Sequence, residues 1–422
     1  MRRIASKAAR AVQEPRWALR RIYAKTVTRP MFASLRYGSA SAVASQMCRA
    51  VEDRSGPVFV FPAPSVAWGY LFQRPQQLAR ALWELGYPVL YAADPSYSEG
   101  LDARAVPIFR TPDGPVLFAD GRGGVCVAEF ARSRPVICWR YWPHQERFVA
   151  ALPESAVIAY DVVDHLTCFE QYDAIRDDHQ RALRSSAAVF ASARLLCDEI
   201  RPVRPDVTLV PNGVRHEDFA AAIRAPDHDA LPEFRGIPPE AVVIGYYGAL
   251  AEWVDYELIE ELARREPSWW FVFIGDRVSF SPRIDRFQKI PNVRVIGRQP
   301  YARLSALLAR MNVAIIPFKV NDLTVAVSPV KLFEYAAGQK PVVSAALPEC
   351  VEVSSGCSGV RIASGADEWM DQMRWCLAQG RSEQTQAALE ALAASSTWRA
   401  RARTIVAALR DKGVPLADPA AV

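Results

Sequence analysis

Short apolar runs alternate with helix-length stretches along this chain, stop at a proline-rich segment, and then start again. This doubled alternation restricts the fold more than any other feature. In the first run, strands are expected at 58–61, 88–91, 115–118, 135–139, 156–160, 188–191 and 207–210, with helices near 75–85 and 170–186. Residues 220–240 hold four prolines, mixed charge and little periodicity, and read as a linker. The second run places strands at 242–247, 270–274, 293–296, 313–316 and 341–344, with helices near 255–265, 300–310, 329–337, 366–379, 383–394 and 396–411. Strands that alternate with helices form parallel sheets covered on both faces. The expected class is therefore α/β: two doubly wound, Rossmann-like parallel-sheet domains facing a cleft. Their proposed limits are 56–219 and 241–395, with the linker between them and a C-terminal helix and tail at 396–422. Ligands of such sheets bind at the carboxyl ends of the strands, so loops from both halves are expected to form the site.

A chain of 422 residues is long enough for two such domains, and 23% charged residues fit a globular protein. Charge is unevenly spread. Residues 1–55 hold 12 Lys/Arg against 3 Asp/Glu, and the remainder holds 39 against 43. The body therefore lacks the basic face that nucleic-acid binding needs, and no nucleic acid is expected as a partner. In the arm, Ala18, Leu19, Ile22, Tyr23 and Thr26 share one side of a helical wheel, with Arg20, Arg21 and Lys25 opposite. Such a basic amphipathic helix suits an anionic membrane surface; a solvated arm or a helix docked on the body fits the same residues. Pro15 and Pro30 interrupt it. The eight cysteines form no C-x-x-C pair, and no run of 18 apolar residues or secretory h-region appears. The expected location is the cytoplasm, with peripheral attachment to the inner face of the cell membrane through residues 1–50. Neither a metal nor a cofactor is expected.

Several chemistries fail on their motifs. No G-x-G-x-x-G follows a strand, and neither a P-loop, a G-x-S-x-G nor an H-E-x-x-H is present. The informative stretch is Ser328-Pro329-Val330-Lys331-Leu332-Phe333-Glu334-Tyr335-Ala336-Ala337-Gly338. Serine suits an N-cap, proline the first helical turn, and Gly338 the C′ position. A helix starting after a strand offers free N–H groups to a diphosphate. Its dipole disfavours a first-turn lysine, and an anion beside Lys331 would explain one. Glu334 lies near the same face and could accept from ribose hydroxyls. The plainer alternative is an intrahelical Lys331–Glu334 pair.

Four segments resemble those of the GT-B glycosyltransferases, in particular the nucleotide-sugar family 4. They are Val210-Pro211-Asn212-Gly213-Val214 with Asp218-Phe219, then Gly245 to Leu250, Asn292 to Phe318, and Ser328 to Ser344. The resemblance spans roughly 56–412 and is strongest in the C-terminal half. Trp68 with Arg74-Pro75-Gln76, Tyr160-Asp161-x-x-Asp164 and Ser328-Pro-x-Lys331 look like a subgroup near the teichuronic-acid-type bacterial glycosyltransferases.

This resemblance implies a metal-independent, retaining enzyme. It would move a sugar from a nucleoside-diphosphate sugar to a glycan or lipid-linked acceptor in cell-surface polysaccharide synthesis. Glu334 matches the second glutamate of the family's E-x7-E motif, which binds the donor ribose. The first would fall at Ala326, and Ala249, Leu250 and Trp253 stand near the family's Arg/Lys clamp. On the donor side it implies Gly248, Ser328, Val330, Lys331 and Glu334. Arg277 or Arg298 could help hold the diphosphate, and Asp322 or Thr324, with Asn321, the sugar. Asp161, Asp164 and His165, together with Lys331, are the catalytic candidates, although helix capping by Asp164 or a strand-end pair with an arginine fits the same residues. Trp68, Gly69 and Arg74 are the acceptor-side candidates, with Arg74 on the surface as the plainer outcome. Trp139, Tyr141, Trp142 and His144 could stack on a sugar or fill the core. A degenerate GT-B binding partner and a nucleotide-sugar epimerase are the competing readings.

Overall fold

The computed structural model describes residues 39–66, 68–69, 72–92, 108–118, 124–168, 172–223, 231–278 and 282–417. The amphipathic pattern at 18–26 lies outside these residues. The end of the basic segment is a helix, Ala40–Ala50, capped by Ser39, whose hydroxyl accepts from the Ala42 N–H at 3.2 Å.

The chain divides into two compact units. Strands of the first are β1 (Val58–Phe61), β2 (Val89–Ala92), β3 (Ile108–Arg110), β4 (Val116–Phe118), β5 (Val136–Arg140), β6 (Val157–Val162), β7 (Ala188–Ala191) and β8 (Thr208–Leu209). Their order is β3-β4-β2-β1-β5-β6-β7-β8, and all neighbours are parallel except β3 and β4. Every residue of β1, β2, β5 and β7 is buried, as strands covered on both faces require. Pro75 lies in the first turn of the Arg74–Glu84 helix, and the Gln73 N–H donates to Gln76 Oε1 at 2.8 Å to close its start.

The second unit carries β9 (Val243–Tyr247), β10 (Trp270–Ile274), β11 (Val293–Ile296), β12 (Val313–Ile316), β13 (Val342–Ser344) and β14 (Val360–Ile362). Their order is β11-β10-β9-β12-β13-β14, all parallel. Both units are thus doubly wound. The expected elements lacked β3, β14 and several helices, among them Val125–Phe130, Arg194–Ile200, His216–Ile223, Pro282–Phe287 and Pro348–Gly356. Each of the two strands has only three residues, and Ser354, Ser355 and Gly356 weaken the last of these helices.

The chain crosses between units at Pro211–Asn212 and again at Thr397–Trp398. The first crossing lies upstream of the linker expected at 220–240. Composition misplaces it because Val214 and Phe219 belong to the second unit's core. The Trp398–Asp411 helix returns to the first unit and packs on the Arg74–Glu84 helix, burying Trp398, Ile405 and Leu409.

Candidate functional site

In the second sheet the chain runs outward from β9 through β10 to β11, and from β12 through β13 to β14. The β9–β12 boundary is therefore its topological switch point. Gly248 follows β9 with φ +139°, and Gly275 follows β10 with φ +150°. The Gly248 N–H donates to the Ile274 carbonyl at 2.9 Å, and the Leu250 N–H to the Asp276 carbonyl at 2.8 Å. A Cβ at Gly275 would lie 1.9 Å from the Gly248 carbonyl oxygen. The two loops thus touch backbone to backbone, which only glycine permits. Gly275→Ala is expected to cost about 1–3 kcal/mol in backbone strain, with the clash adding to it. Calorimetric melting checks this, and an unchanged midpoint would refute the close approach.

The Val330–Ala337 helix begins beside these loops. Its N-cap is Pro329, and no side chain caps it; the Leu332 N–H donates to the Pro329 carbonyl at 3.1 Å, and the N–H groups of Val330 and Lys331 are those such a helix start offers to an anion. Ser328 is not the cap expected from the sequence. Its hydroxyl accepts from the Asn212 N–H at 3.2 Å, and its carbonyl accepts from Asn212 Nδ2 at 2.7 Å. The PNGV turn thereby pins the start of this helix. Nor does Gly338 supply the left-handed residue at the other end: its φ is −79°, and Gln339 takes φ 54° instead.

Lys331 reaches back from the first turn. Its Nζ lies 4.8 Å from the Phe318 ring centroid and 5.4 Å from that of Tyr246. Its Cε would lie 3.1 Å from a Cβ at Gly248. Burial pulls the ammonium down to about 8, although the nearby Glu334 favours its charge. Glu334 is buried, and desolvation pushes its carboxyl up to about 7, against the pull of Tyr247 and Lys331. No Lys331–Glu334 ion pair forms among the described residues, so the plain intrahelical alternative is not realised. A cation held over two rings, an open helix N-terminus and a bare glycine backbone make a place for a diphosphate. A carboxylate one turn away makes a place for hydroxyls.

Gly248, Ser328, Val330, Lys331 and Glu334 are thus brought to one helix start. The other donor-side candidates are placed differently. Arg277 is exposed and bonds Asp285 at 2.5 Å. Arg298 follows β11, two strands from β9. Asp322 is exposed. Thr324 is buried, its hydroxyl donating to the Lys319 carbonyl and accepting from the Asn321 N–H, so it shapes its own loop. Tyr246, Tyr247, Phe318 and Tyr335 were not singled out. Their aromatic character reads as strand or helix core, and only the places of Tyr246, Tyr247 and Phe318 at or just past strand ends mark them.

The first unit corrects two expectations. Arg74 Nε and Nη2 donate to Asp161 Oδ2 and Oδ1, both at 2.8 Å, and Trp139 Nε1 donates to Oδ2 at 3.2 Å. Arg74 is 2% exposed and Asp161 0%. The enclosed carboxylate of Asp161 thus makes the strand-end pair with an arginine that stood beside the catalytic reading, and Arg74 is buried rather than on the surface. His165 shares a bond of 2.7 Å with the Thr167 hydroxyl and lies 3.4 Å from Glu199. Asp164 is partly buried just after β6. Trp68 is buried edge-on against Tyr91 and Phe72, with ring centroids 5.1 and 5.7 Å away, which makes it core. Gly69 takes φ +83°. Trp139, Tyr141 and Trp142 are also buried. Trp142 stacks on His144, and burial pulls that imidazole down to about 4.

Residues 241–379 match the family model described as glycosyl transferases group 1. The putative teichuronic acid biosynthesis glycosyltransferase TuaH of Bacillus subtilis (strain 168) is 33% identical over 146 residues, covering 34% of this chain and 36% of that protein. The chain thus spans about a third of that curated relative. Solved structures align over most of the chain. A glycosyltransferase from Rickettsia africae ESF-5 has a TM-score of 0.64 at 11% identity, covering 86% of this chain and 100% of its own. HepE from Anabaena in complex with UDP-glucose has 0.62 at 15%, covering 85% and 100%. Sucrose-phosphate synthase from Thermosynechococcus elongatus has 0.62 at 13%, covering 85% and 99%. This chain has the GT-B fold, and residues 241–379, in the unit that carries Lys331 and Glu334, are similar to the group 1 glycosyl transferases.

Proposed function

We propose that this protein is a glycosyltransferase that takes a sugar from a nucleoside-diphosphate sugar and passes it to a glycan or lipid-linked acceptor in cell-surface polysaccharide synthesis. The observation that carries the reading is Lys331, unpaired and held over Tyr246 and Phe318 at an open helix start, with Glu334 one turn on. As the glycosidic bond to the diphosphate breaks, negative charge grows on the leaving oxygen. A preorganised ammonium and helix N–H groups stabilise that charge. Lysine fills the electrostatic role a metal would otherwise take, so we assign the transfer as metal-independent; retention of configuration we take from the resemblance to the group 1 glycosyltransferases alone. The Glu334 carboxylate accepts from the ribose hydroxyls. A UDP-glucose complex of HepE and the teichuronic acid role printed for TuaH support the donor and the polysaccharide context. Among the described residues no helix is long and apolar enough to cross a membrane. We place the enzyme in the cytoplasm, meeting the inner membrane face through residues 1–50.

Calorimetric titration with UDP, GDP, ADP and CMP tests the donor site. One nucleotide is expected to bind, and Glu334→Ala to weaken it about 10- to 100-fold, the loss of a charged hydrogen-bond acceptor. Folded protein that binds none of the four would sink the reading. A second reading, a partner that no longer transfers sugar, is favoured by Ala326, which is buried where the family's first glutamate would stand. Nucleotide binding without donor hydrolysis or transfer would select it.

A further inference from the structure

Asn212 and Ser328 stand 116 residues apart in sequence, yet two hydrogen bonds join them. The Asn212 N–H donates to the Ser328 hydroxyl at 3.2 Å, and Asn212 Nδ2 to the Ser328 carbonyl at 2.7 Å. Both residues are buried, so water competes little for these bonds. The turn that carries Asn212 is itself anchored. Two residues on, the Val214 N–H donates to the Ser396 carbonyl at 2.9 Å, and the Val214 side chain lies in the second unit's core. Phe219 then packs edge-on against Tyr301, with centroids 6.0 Å apart. What the anchored turn holds is the approach to the donor-site helix. Only Pro329 separates the Ser328 carbonyl from the Val330 N–H, the first that the helix start offers to an anion. The proline ring fixes φ, here −71°, so little freedom lies between the pinned carbonyl and that N–H.

We propose that Asn212 is a positioning residue for the diphosphate: through the Ser328 carbonyl and hydroxyl it holds the start of the Val330–Ala337 helix where the Val330 and Lys331 N–H groups meet the phosphates of a nucleoside diphosphate. This rests on the donor-site reading given above, and it divides that site into two parts. The phosphate contacts depend on the pin, because donors to an anion act only when they are held in place beforehand. The ribose contact does not. Glu334 lies further along the helix, between Phe333 and Tyr335, and both of these are fixed in the second unit's core. Loss of the Asn212 amide therefore loosens the first turn and leaves the carboxylate where it is.

The test uses ligands that differ only in their phosphates. Ligand-detected NMR titration, which reads weak binding too, compares UDP, GDP and ADP with uridine, guanosine and adenosine. The proteins are wild type, Asn212→Ala, Ser328→Ala and Glu334→Ala. Wild type is expected to bind one nucleoside diphosphate more tightly than its nucleoside. Asn212→Ala should lower affinity for that diphosphate about tenfold, the worth of one hydrogen bond, and leave the nucleoside unchanged. Glu334→Ala should weaken both alike. Ser328→Ala keeps the bond to the carbonyl and loses only the one to the hydroxyl, so it should shift the preference the same way by less. Melting checks the fold of each variant, and Ser328→Ala decides the matter if Asn212→Ala does not fold. A folded variant with the wild-type preference for diphosphate over nucleoside would overturn the proposal. So would equal losses for both ligands, which mark a bracing role alone. If wild type binds none of the six, the donor-site reading fails, and the assignment of Asn212 falls with it.

Discussion

Asp161→Ala is expected to destabilise the first unit by about 3–5 kcal/mol, because it strands a buried guanidinium. Arg74 and Asp161 exchange two bonds of 2.8 Å with almost no solvent contact, and Trp139 adds a third donor to the same carboxylate. Removing the acceptor takes from the buried guanidinium its two bonds to Asp161 and from the indole N–H its acceptor. Chemical denaturation of wild type, Asp161→Ala and the double variant Arg74→Met/Asp161→Ala checks this. The double variant should regain a large part of the loss, since it removes the stranded charge. A sharp loss of transfer in Asp161→Ala with unchanged denaturation would instead restore Asp161 to the catalytic role that its place after an apolar strand first suggested.

That case shows which information the sequence carried. The apolar runs of β1, β2, β5 and β9 were legible because buried parallel strands must be continuously hydrophobic. The Val330–Ala337 helix was legible from the Ser328-Pro329 start and the Gly338 stop, although neither Ser328 nor Gly338 takes the capping role read for it, and the lysine in conflict with the dipole pointed to an anion. A strand-end pair with an arginine was one of the readings open for these carboxylates, but which arginine was not legible. Arg74 lies 87 residues away in sequence, and nothing local distinguishes a strand-end carboxylate aimed at a ligand from one aimed at an arginine. Tyr246 and Phe318 stayed hidden for a related reason. An aromatic residue in an apolar strand has a sufficient explanation in packing, so its second use shows only when the ammonium beside it is seen. The crossing at Pro211 was blurred because composition marks where a chain is polar, not which core claims Val214.

Lys331→Met should cost donor-dependent turnover about 10²- to 10³-fold, the usual effect of removing one preorganised donor to a developing anion. Methionine keeps apolar contact with Tyr246 and Phe318, so a packing defect is not the cause. The pH dependence separates charge from shape. Glu334 is raised to about 7 by burial, so the free protein offers its carboxylate only above that pH. Lys331 is lowered to about 8 by burial, so its ammonium is lost above that pH. Donor affinity in wild type should therefore peak between about 7 and about 8. Lys331→Met should lose the alkaline limb and Glu334→Ala the acid limb. Stability of the ligand-free protein runs the opposite way. A raised carboxyl makes stability fall as pH rises from 4.5 to about 7, because the folded state holds the proton more tightly. A lowered lysine makes stability recover as pH rises from about 8 to 10.5, because the unfolded state then holds the proton more tightly. Between them both groups are charged and buried, and the empty site is at its least stable just where it binds best. Lys331→Met should accordingly melt higher than wild type near neutral pH without ligand and gain far less from added nucleotide. Equal melting of the two ligand-free proteins across that window would show that Lys331 is not held as a desolvated cation, and the electrostatic account of the donor site would fall with it.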